Sequence, residues 1–115
     1  MARGDVLLVN LPESDKREEK GKRPAIAVQT EVAASPMLMI VPITSSVRAT
    51  RFPFTVKIEP SAQNGLTLPS VAMVFQLRAM DRRRTIRKIG ELESKYLAQI
   101  DAEIWNMLKP LEPEI

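Results

Sequence analysis

The 115-residue sequence predicts a mainly β protein: a small barrel or strongly bent antiparallel sheet with one helix packed against it. Three observations support this fold class. Short apolar runs separated by turn residues recur up to Gly90. A helical spacing of apolar residues appears only after that glycine. The length suits one hydrophobic core, so we expect a single domain over residues 1–115.

The first half of the chain contains three apolar runs that predict buried strands. They are expected over residues 5–10, 24–29 and 37–43. Pro12 stops the first run, and a long polar loop over residues 11–22 precedes the second. A second polar loop, residues 45–51, follows the third run and carries Arg48 and Arg51.

The second half of the chain predicts further strands and then the helix. Phe52 to Ile58 alternates apolar and polar residues, as a half-exposed strand does. Asn64-Gly65 predicts a turn with positive φ. Strands are also expected over residues 66–68, 71–80 and 86–89, with a short turn over residues 81–84. The helix follows Ser94, a candidate N-cap, and ends before Pro110.

Composition excludes several kinds of chemistry. The chain has no cysteine, which rules out disulfides, cysteine–metal sites and thiol catalysis. It also has no histidine, the commonest general base and metal ligand. Catalysis would therefore depend on Arg, Lys, Asp, Glu, Thr, Ser or Tyr side chains.

Charge is distributed unevenly along the chain. The formal net charge is +3, but residues 1–90 carry 15 Lys and Arg against 8 Asp and Glu, whereas residues 91–115 carry 2 against 6. The basic part is suited to a polyanion. No apolar run resembles a signal peptide or a membrane span, so the cytoplasm is the expected location.

Two strand-end motifs indicate a site for phosphate. In Gly21-Lys22-Arg23-Pro24, a cation precedes a proline that fixes its own φ and biases Arg23 toward an extended backbone. In Val41-Pro42-Ile43-Thr44-Ser45-Ser46, an apolar run ends in three hydroxyl side chains. A guanidinium and a hydroxyl are both suited to phosphate oxygens.

These motifs, in this order, resemble the MazF/PemK family of toxin endoribonucleases. The resemblance extends from Arg3 to about Leu108 and is carried by these segments: Arg3-Gly4-Asp5-Val6-Leu7-Leu8-Val9-Asn10, Gly21-Lys22-Arg23-Pro24-Ala25, Val41-Pro42-Ile43-Thr44-Ser45, Asn64-Gly65-Leu66, Ser70, Gln76-Leu77-Arg78 and Ile89-Gly90-Glu91-Leu92. It implies an SH3-like β-barrel of about six to seven strands with a C-terminal helix, similar to CcdB and MazF. It also implies a homodimer, single-stranded RNA as substrate, and an antitoxin with a disordered acidic tail.

The resemblance also assigns roles to individual residues. Arg23 matches the catalytic arginine of the family, Thr44 its catalytic threonine, and Glu18 an acidic loop position that contributes in some members. RNA contacts are expected from the following residues: Ser45, Ser46, Arg48, Gln76 and Arg78. Two departures are notable: Phe75 stands where PemK-like members commonly have Asp, and the histidine that some members use is missing.

The expected chemistry is metal-independent RNA cleavage without a cofactor. The 2′-OH attacks the neighbouring phosphorus, leaving 2′,3′-cyclic phosphate and 5′-OH ends and so inhibiting translation. We expect Arg23 to stabilise the phosphorane, Thr44 to assist, and Glu18 to be the candidate base. Arginine keeps its charge at any accessible pH, so it is a poor general base.

Two other functions remain open on the sequence alone. One is a non-enzymatic gyrase poison of the CcdB type. The other is a catalytically silent module that binds RNA or antitoxin, which the substitution at Phe75 and the missing histidine suggest. A basic cluster could contact RNA or antitoxin, or form a solvated turn; its members are Arg82, Arg83, Arg84, Arg87 and Lys88.

Overall fold

The structure is a computed structural model that describes residues 1–11, 21–31 and 35–109. Its strands and helix are β1 (Asp5–Leu11), β2 (Gly21–Ala27), β3 (Met37–Thr44), β4 (Thr55–Ile58), β5 (Ser70–Met73), β6 (Arg78–Asp81), β7 (Thr85–Glu91) and α1 (Ser94–Leu108). Short 3₁₀ helices span Val47–Arg51, Val74–Gln76 and Arg82–Arg84. No helix among the described residues is long and apolar enough to cross a membrane.

All recorded strand pairs are antiparallel. The order across the sheet is β4-β5-β3-β2-β1-β7, and β6 pairs with another part of β3. The predicted fold class, mainly β with a C-terminal helix, is therefore confirmed. The pairings in the described ranges form an open path rather than a closed barrel, because β4 and β7 lie at its two ends.

The sheet is buried on both faces. Alternate strand residues form one core with α1, including Val6, Ile26, Val41, Ile43 and Ile100. The intervening residues form a second core on the opposite face, made of Leu7, Val9, Leu11, Ala25, Ala27, Leu38, Ile40 and Met80. Burying each large aliphatic side chain contributes roughly 1.5–3 kcal/mol. Two-sided burial explains why these strands are continuous apolar runs in the sequence.

One edge of β3 carries an interrupted strand. Ile43 pairs with Ala72 of β5, and Ile40 pairs with Arg78 of β6. Five residues (73–77) on the neighbour therefore match only two (41 and 42) on β3, which leaves three extra residues. The 3₁₀ helix Val74–Gln76 accommodates them, and we call this segment the excursion.

Several predicted element boundaries are wrong. The single strand predicted over residues 71–80 is split by the excursion, which the continuous apolar run did not reveal. The half-exposed strand begins at Thr55 rather than Phe52, because the 3₁₀ helix Val47–Arg51 extends up to that phenylalanine. No strand forms over residues 66–68, since the Leu66 N–H donates to Asn64 Oδ1 (3.0 Å) instead of a strand partner.

A buried amide ties the predicted Asn64-Gly65 turn to the start of α1. Asn64 Oδ1 accepts hydrogen bonds from the Ser61 and Leu66 N–H groups, at 3.0 Å each. Asn64 Nδ2 donates to the Glu59 carbonyl (2.9 Å) and to Glu93 Oε1 (3.0 Å). All the hydrogen-bonding capacity of this buried side chain is thus used.

Glu93, not Ser94, occupies the N-cap position of α1, so the predicted cap is wrong. The Glu93 side chain makes no capping bond, because it accepts from Asn64 and from the Ser61 hydroxyl (2.9 Å). Nearby, the backbones at Asn64 and Gly90 touch. A Cβ on Gly90 would lie 2.4 Å from the Asn64 carbonyl carbon, which only glycine avoids.

Candidate functional site

Arg23 lies inside a strand, not in a loop before one. It is the third residue of β2, pairs with Val9 of β1, and has an exposed side chain. The predicted strand start at Pro24 is therefore wrong, because residues 21–23 pair with the end of β1. The extended backbone expected for Arg23 is confirmed, since β1 holds it in a ladder.

Arg23 and Thr44 lie beyond the same end of the β2–β3 ladder. The last pair of this ladder is Ala25 of β2 with Pro42 of β3. Arg23 precedes Ala25 by two residues and Thr44 follows Pro42 by two, so the same antiparallel register, if continued, would align them.

Thr44 is the last residue of β3 and is buried. Its Oγ1 accepts a hydrogen bond from the Ser46 N–H (3.1 Å), which fixes the hydroxyl at the turn out of the strand. A threonine hydroxyl has one donor and two lone pairs. This bond uses one lone pair and keeps the O–H for a further acceptor.

A cavity of about 690 Å³ opens beside Thr44. Four of the five predicted RNA contacts line it: Ser46, Arg48, Gln76 and Arg78. The other lining residues are Ala49, Phe52, Met73, Phe75 and Leu77. Neither Ser45, which is exposed just after β3, nor Arg23 is among them. Of the two predicted catalytic residues Arg23 and Thr44, therefore, Thr44 is the one among the described lining residues.

The cavity lining is cationic. Arg48 lies in the 3₁₀ helix Val47–Arg51, and Arg78 begins β6. Among the described residues that line it, none is acidic. Guanidinium groups attract anions such as phosphate.

An aromatic pair that the sequence did not predict forms one wall of the cavity. The Phe52 and Phe75 rings lie 4.8 Å apart between centroids and are tilted by 31°. One residue follows a 3₁₀ helix and the other lies in the excursion, so no sequence period relates them. The only sequence feature that points to this aromatic pair is Phe75 itself, an aromatic residue where PemK-like members commonly have Asp.

The basic cluster at residues 82–88 is largely engaged within the chain. Arg82 Nε donates to the Ser35 carbonyl (2.8 Å), and Lys88 Nζ contacts Asp5 (3.2 Å) and Glu91 (2.8 Å). Hydrogen bonds that Lys88 donates to Glu91 and then to Asp5 raise the pKa of Lys88. Arg82 and Lys88 therefore have partners within the chain, and Arg87 and Lys88 lie in strand β7 rather than in the predicted turn.

Arg83 of the same cluster forms an ion pair with Asp81 (2.9 Å). Hydrogen bonds from the Arg83 side chain and then its backbone N–H lower the pKa of Asp81 to about 2. Asp81 also caps the 3₁₀ helix Arg82–Arg84, which confirms the short turn predicted there.

Glu18, the candidate base, lies outside the described residues. Within the described ranges, no group of three or more His, Cys, Asp or Glu side chains could hold a metal ion.

In the part of the chain that the structure describes, an antiparallel sheet, one α-helix and a cavity with two arginines define a small, mainly β protein. The chain belongs to the family described as PemK-like, MazF-like toxin of type II toxin-antitoxin system, whose pattern matches residues 2–108. The family predicted from the strand-end motifs is therefore confirmed.

Curated relatives carry the activity that the sequence led us to expect. The chain is 30% identical over 106 residues to endoribonuclease MazF of Staphylococcus saprophyticus, covering 90% of this chain and 88% of the relative. It is 28% identical over 101 residues to endoribonuclease EndoA of Bacillus subtilis, covering 86% of each chain.

Solved structures share the fold. MazF from Deinococcus radiodurans superposes with a TM-score of 0.77 at 22% identity, over 94% of this chain and 96% of that one. An endoribonuclease in complex with its cognate antitoxin from mycobacterial species superposes with a TM-score of 0.75 at 19% identity, over 98% and 99% of the chains.

Proposed function

We propose that this protein is the toxin of a type II toxin–antitoxin system and cleaves single-stranded RNA as a sequence-selective endoribonuclease. Family membership and the named activity of its relatives support the proposal. The single observation that carries it is that Arg23 and Thr44 lie beyond the same end of the β2–β3 ladder and that Thr44 lines the cationic cavity.

The reaction needs no group beyond the RNA itself as nucleophile. The 2′-oxygen forms a bond to phosphorus, its proton passes to a base, and the bond from phosphorus to the 5′-oxygen breaks as that oxygen gains a proton. The products are a 2′,3′-cyclic phosphate and a 5′-hydroxyl. What the enzyme supplies is positioning, proton transfer and stabilisation of the negative charge on the phosphorane.

Arg23 supplies the charge stabilisation. Its guanidinium is exposed at the sheet edge, and the β1–β2 ladder holds its backbone. Planar N–H donors match two phosphate oxygens at once, and their charge remains at every working pH. Because the strand is already ordered, little reorganisation is needed when the phosphorane forms.

Thr44 assists from the neighbouring strand. Its Oγ1 is oriented by the Ser46 N–H, so the O–H can donate to a non-bridging phosphate oxygen. Glu18, in the sequence between β1 and β2, is the base we propose for the 2′ proton. The cavity residues Ser46, Arg48, Gln76 and Arg78, with Ser45 beside them, bind the flanking nucleotides.

We further propose that the protein is a cytoplasmic homodimer and is neutralised by an antitoxin with an acidic tail. Similar structures from Deinococcus radiodurans and mycobacterial species are complexes with an antitoxin. Arg48 and Arg78 in the described lining of the cavity are suited to an acidic segment.

The test is incubation of the pure protein with a long RNA in EDTA, followed by mapping of the ends. We expect discrete cuts that leave 2′,3′-cyclic phosphate. Arg23→Ala should lower kcat/KM by about 100- to 1,000-fold, the usual loss for one transition-state donor. Lys57→Ala, which removes an exposed cation of β4 outside the cavity lining, is the matched control.

Three results would contradict this proposal. Intact RNA together with inhibited gyrase would indicate a poison of the CcdB type. Intact RNA with retained binding would indicate a silent module. An Arg23→Ala protein that is folded and cuts at the wild-type rate would remove the catalytic assignment.

A further inference from the structure

We infer that Phe52 and Phe75 form a stacking site for one unpaired base of the RNA, beside the phosphate that is cleaved. The inference rests on the proposed function and adds a determinant of sequence selectivity to it. It is carried by the ring pair, its anchoring, its exposure and the charges around it.

Both rings are held by the backbone. The Phe52 N–H donates to the Ala49 carbonyl (3.1 Å), and the Phe75 N–H donates to the Phe54 carbonyl (3.2 Å). Phe75 also packs against a small apolar cluster of Ala49, Val71 and Met73. The pair is therefore preorganised, so stacking a base on it requires little ordering of side chains.

The pair is open to a ligand. Phe52 is 54% exposed although its ring contacts Phe75, so aromatic surface remains in water at the cavity wall. The cavity, at about 690 Å³, lies within the range of roughly 300–1,000 Å³ that is usual for ligand sites. It has room for a nucleobase with its sugar and phosphate.

The surroundings favour a base of RNA over an apolar side chain of a protein. Every nucleobase has a π-face for stacking and carries phosphates on both sides. Arg48 and Arg78 line the same cavity and supply cations for those phosphates, and none of the other described lining residues carries a charge. A cavity that combines an aromatic wall with two guanidinium groups therefore matches a nucleotide in both shape and charge.

The position of the pair specifies which base is bound. Thr44 lines the cavity and lies beyond the same end of the β2–β3 ladder as Arg23. Because the proposed function assigns the scissile phosphate to these two residues, we assign the stacked base to the position next to that phosphate. Gln76 follows Phe75 in the excursion and lines the cavity, so its amide, both donor and acceptor, is placed to bind the base edge.

The experiment couples ring substitutions to removal of single bases. Phe52→Leu and Phe75→Leu keep apolar volume and lose the π-face, and each should lower kcat/KM by roughly 5- to 150-fold. The matching tyrosine variants, Phe52→Tyr and Phe75→Tyr, should retain most activity. Leu68→Ala, an exposed apolar residue beyond the opposite end of β5 from the cavity, is the surface control.

Each protein is then assayed on a set of short RNA substrates in which one nucleotide at a time is abasic. With the wild type, removing the base at one position next to the cut should slow cleavage about as much as the Phe75→Leu substitution slows cleavage of the intact RNA. With Phe75→Leu, removing the same base should slow cleavage little further. In a second assay, 2-aminopurine replaces the base at the same position of an uncleavable 2′-O-methyl RNA. Its fluorescence should fall when the RNA binds the wild type, because stacking quenches it. It should not fall when the RNA binds the leucine variants.

The outcomes separate this inference from the proposed function. A wild type that cuts RNA while no abasic position couples to the rings would overturn the stacking site alone. Leucine variants that lose only antitoxin binding or only dimerisation would also overturn it. Uncut RNA would contradict the proposed function, and the 2-aminopurine signal would still decide whether a base stacks.

Discussion

At the scale of single residues, the candidate site combines an exposed cation with a buried hydroxyl. Arg23 is exposed on β2, and β1 holds its backbone in a ladder. Thr44 is fixed more completely, since it is buried and its Oγ1 accepts the Ser46 N–H. This difference suggests that Arg23 supplies charge and Thr44 supplies geometry.

Thr44 can be tested with two substitutions of similar size. Thr44→Val removes the hydroxyl and should lower kcat/KM by about 10- to 100-fold, the value of a hydrogen bond to a charged group. Thr44→Ser keeps the hydroxyl and should stay within a few-fold of wild type. Both are to be measured on one RNA substrate, with urea denaturation to confirm folding. Equal rates for valine and wild type would exclude a role for the hydroxyl.

The sequence identified Arg23 and Thr44 because strand-end motifs are local signals. Their place at the same end of the β2–β3 ladder depends on a register that the sequence does not contain and that the Ala25–Pro42 pair defines. The contact of Phe52 with Phe75 is of the same kind, since it depends on where two unrelated segments fold. Local residue types were predictable, and contacts across the sheet were not.

At the scale of elements, the start of α1 is fixed by side chains rather than by a helix cap. Glu93 receives hydrogen bonds from Asn64 and Ser61, which ties the helix to the turn after β4. Partial burial acts to raise the pKa of Glu93, but hydrogen bonds from its own backbone, Ser61 and Asn64 outweigh burial and lower it.

This lowered pKa makes a prediction about acid stability. Since the carboxylate is favoured in the folded state, its contribution is complete above the unfolded pKa and is lost as the pH falls through the folded value. Glu93→Gln should reduce the free energy of unfolding by about 1 kcal/mol at pH 7, and by less at pH 3. Denaturant titrations at both pH values measure the difference.

Glu103→Gln, on the same helix, is the control for loss of a carboxylate. It should leave the free energy of unfolding close to wild type at both pH values. A Glu93→Gln protein that is destabilised equally at pH 7 and pH 3 would show that the bonds act through shape and not through charge.

Element types were predicted better than their ends. Continuous apolar runs indicated β1 and β3, and the spacing of Leu97, Ile100 and Ile104 indicated α1. The run after Pro69 concealed the excursion, because Val74 is as apolar as its strand neighbours and is equally buried. An apolar pattern reports burial, and burial alone does not distinguish a 3₁₀ helix from a strand.

At the scale of the whole molecule, charge is concentrated where a polyanion would bind. The chain up to Gly90 carries the basic excess, and the two arginines of the cavity belong to it. The clustered cations at residues 82–88 contribute less, because several are already paired with carboxylates or carbonyls. Net charge alone would therefore overestimate the phosphate contacts.

The number of phosphate contacts can be measured from the salt dependence of RNA binding. For single-stranded RNA, the logarithm of the binding constant falls with log salt by about 0.7 for each phosphate contact. Arg48→Ala should make this slope shallower by about 0.7 relative to wild type. The measurement is a fluorescence titration of uncleavable RNA at several salt concentrations, with Lys57→Ala as control. An unchanged slope would remove Arg48 from the phosphate contacts.

The excursion also has a consequence for how such proteins diverge. Phe75 and Gln76 lie on the three residues that the ladder along β3 does not need, so replacing their side chains alters the cavity wall without disturbing strand pairing. Core positions such as Ile40 and Ala72 lack this freedom, because their side chains are fully buried. Selection can therefore change the wall of the cavity on this short segment while the scaffold beneath it stays the same.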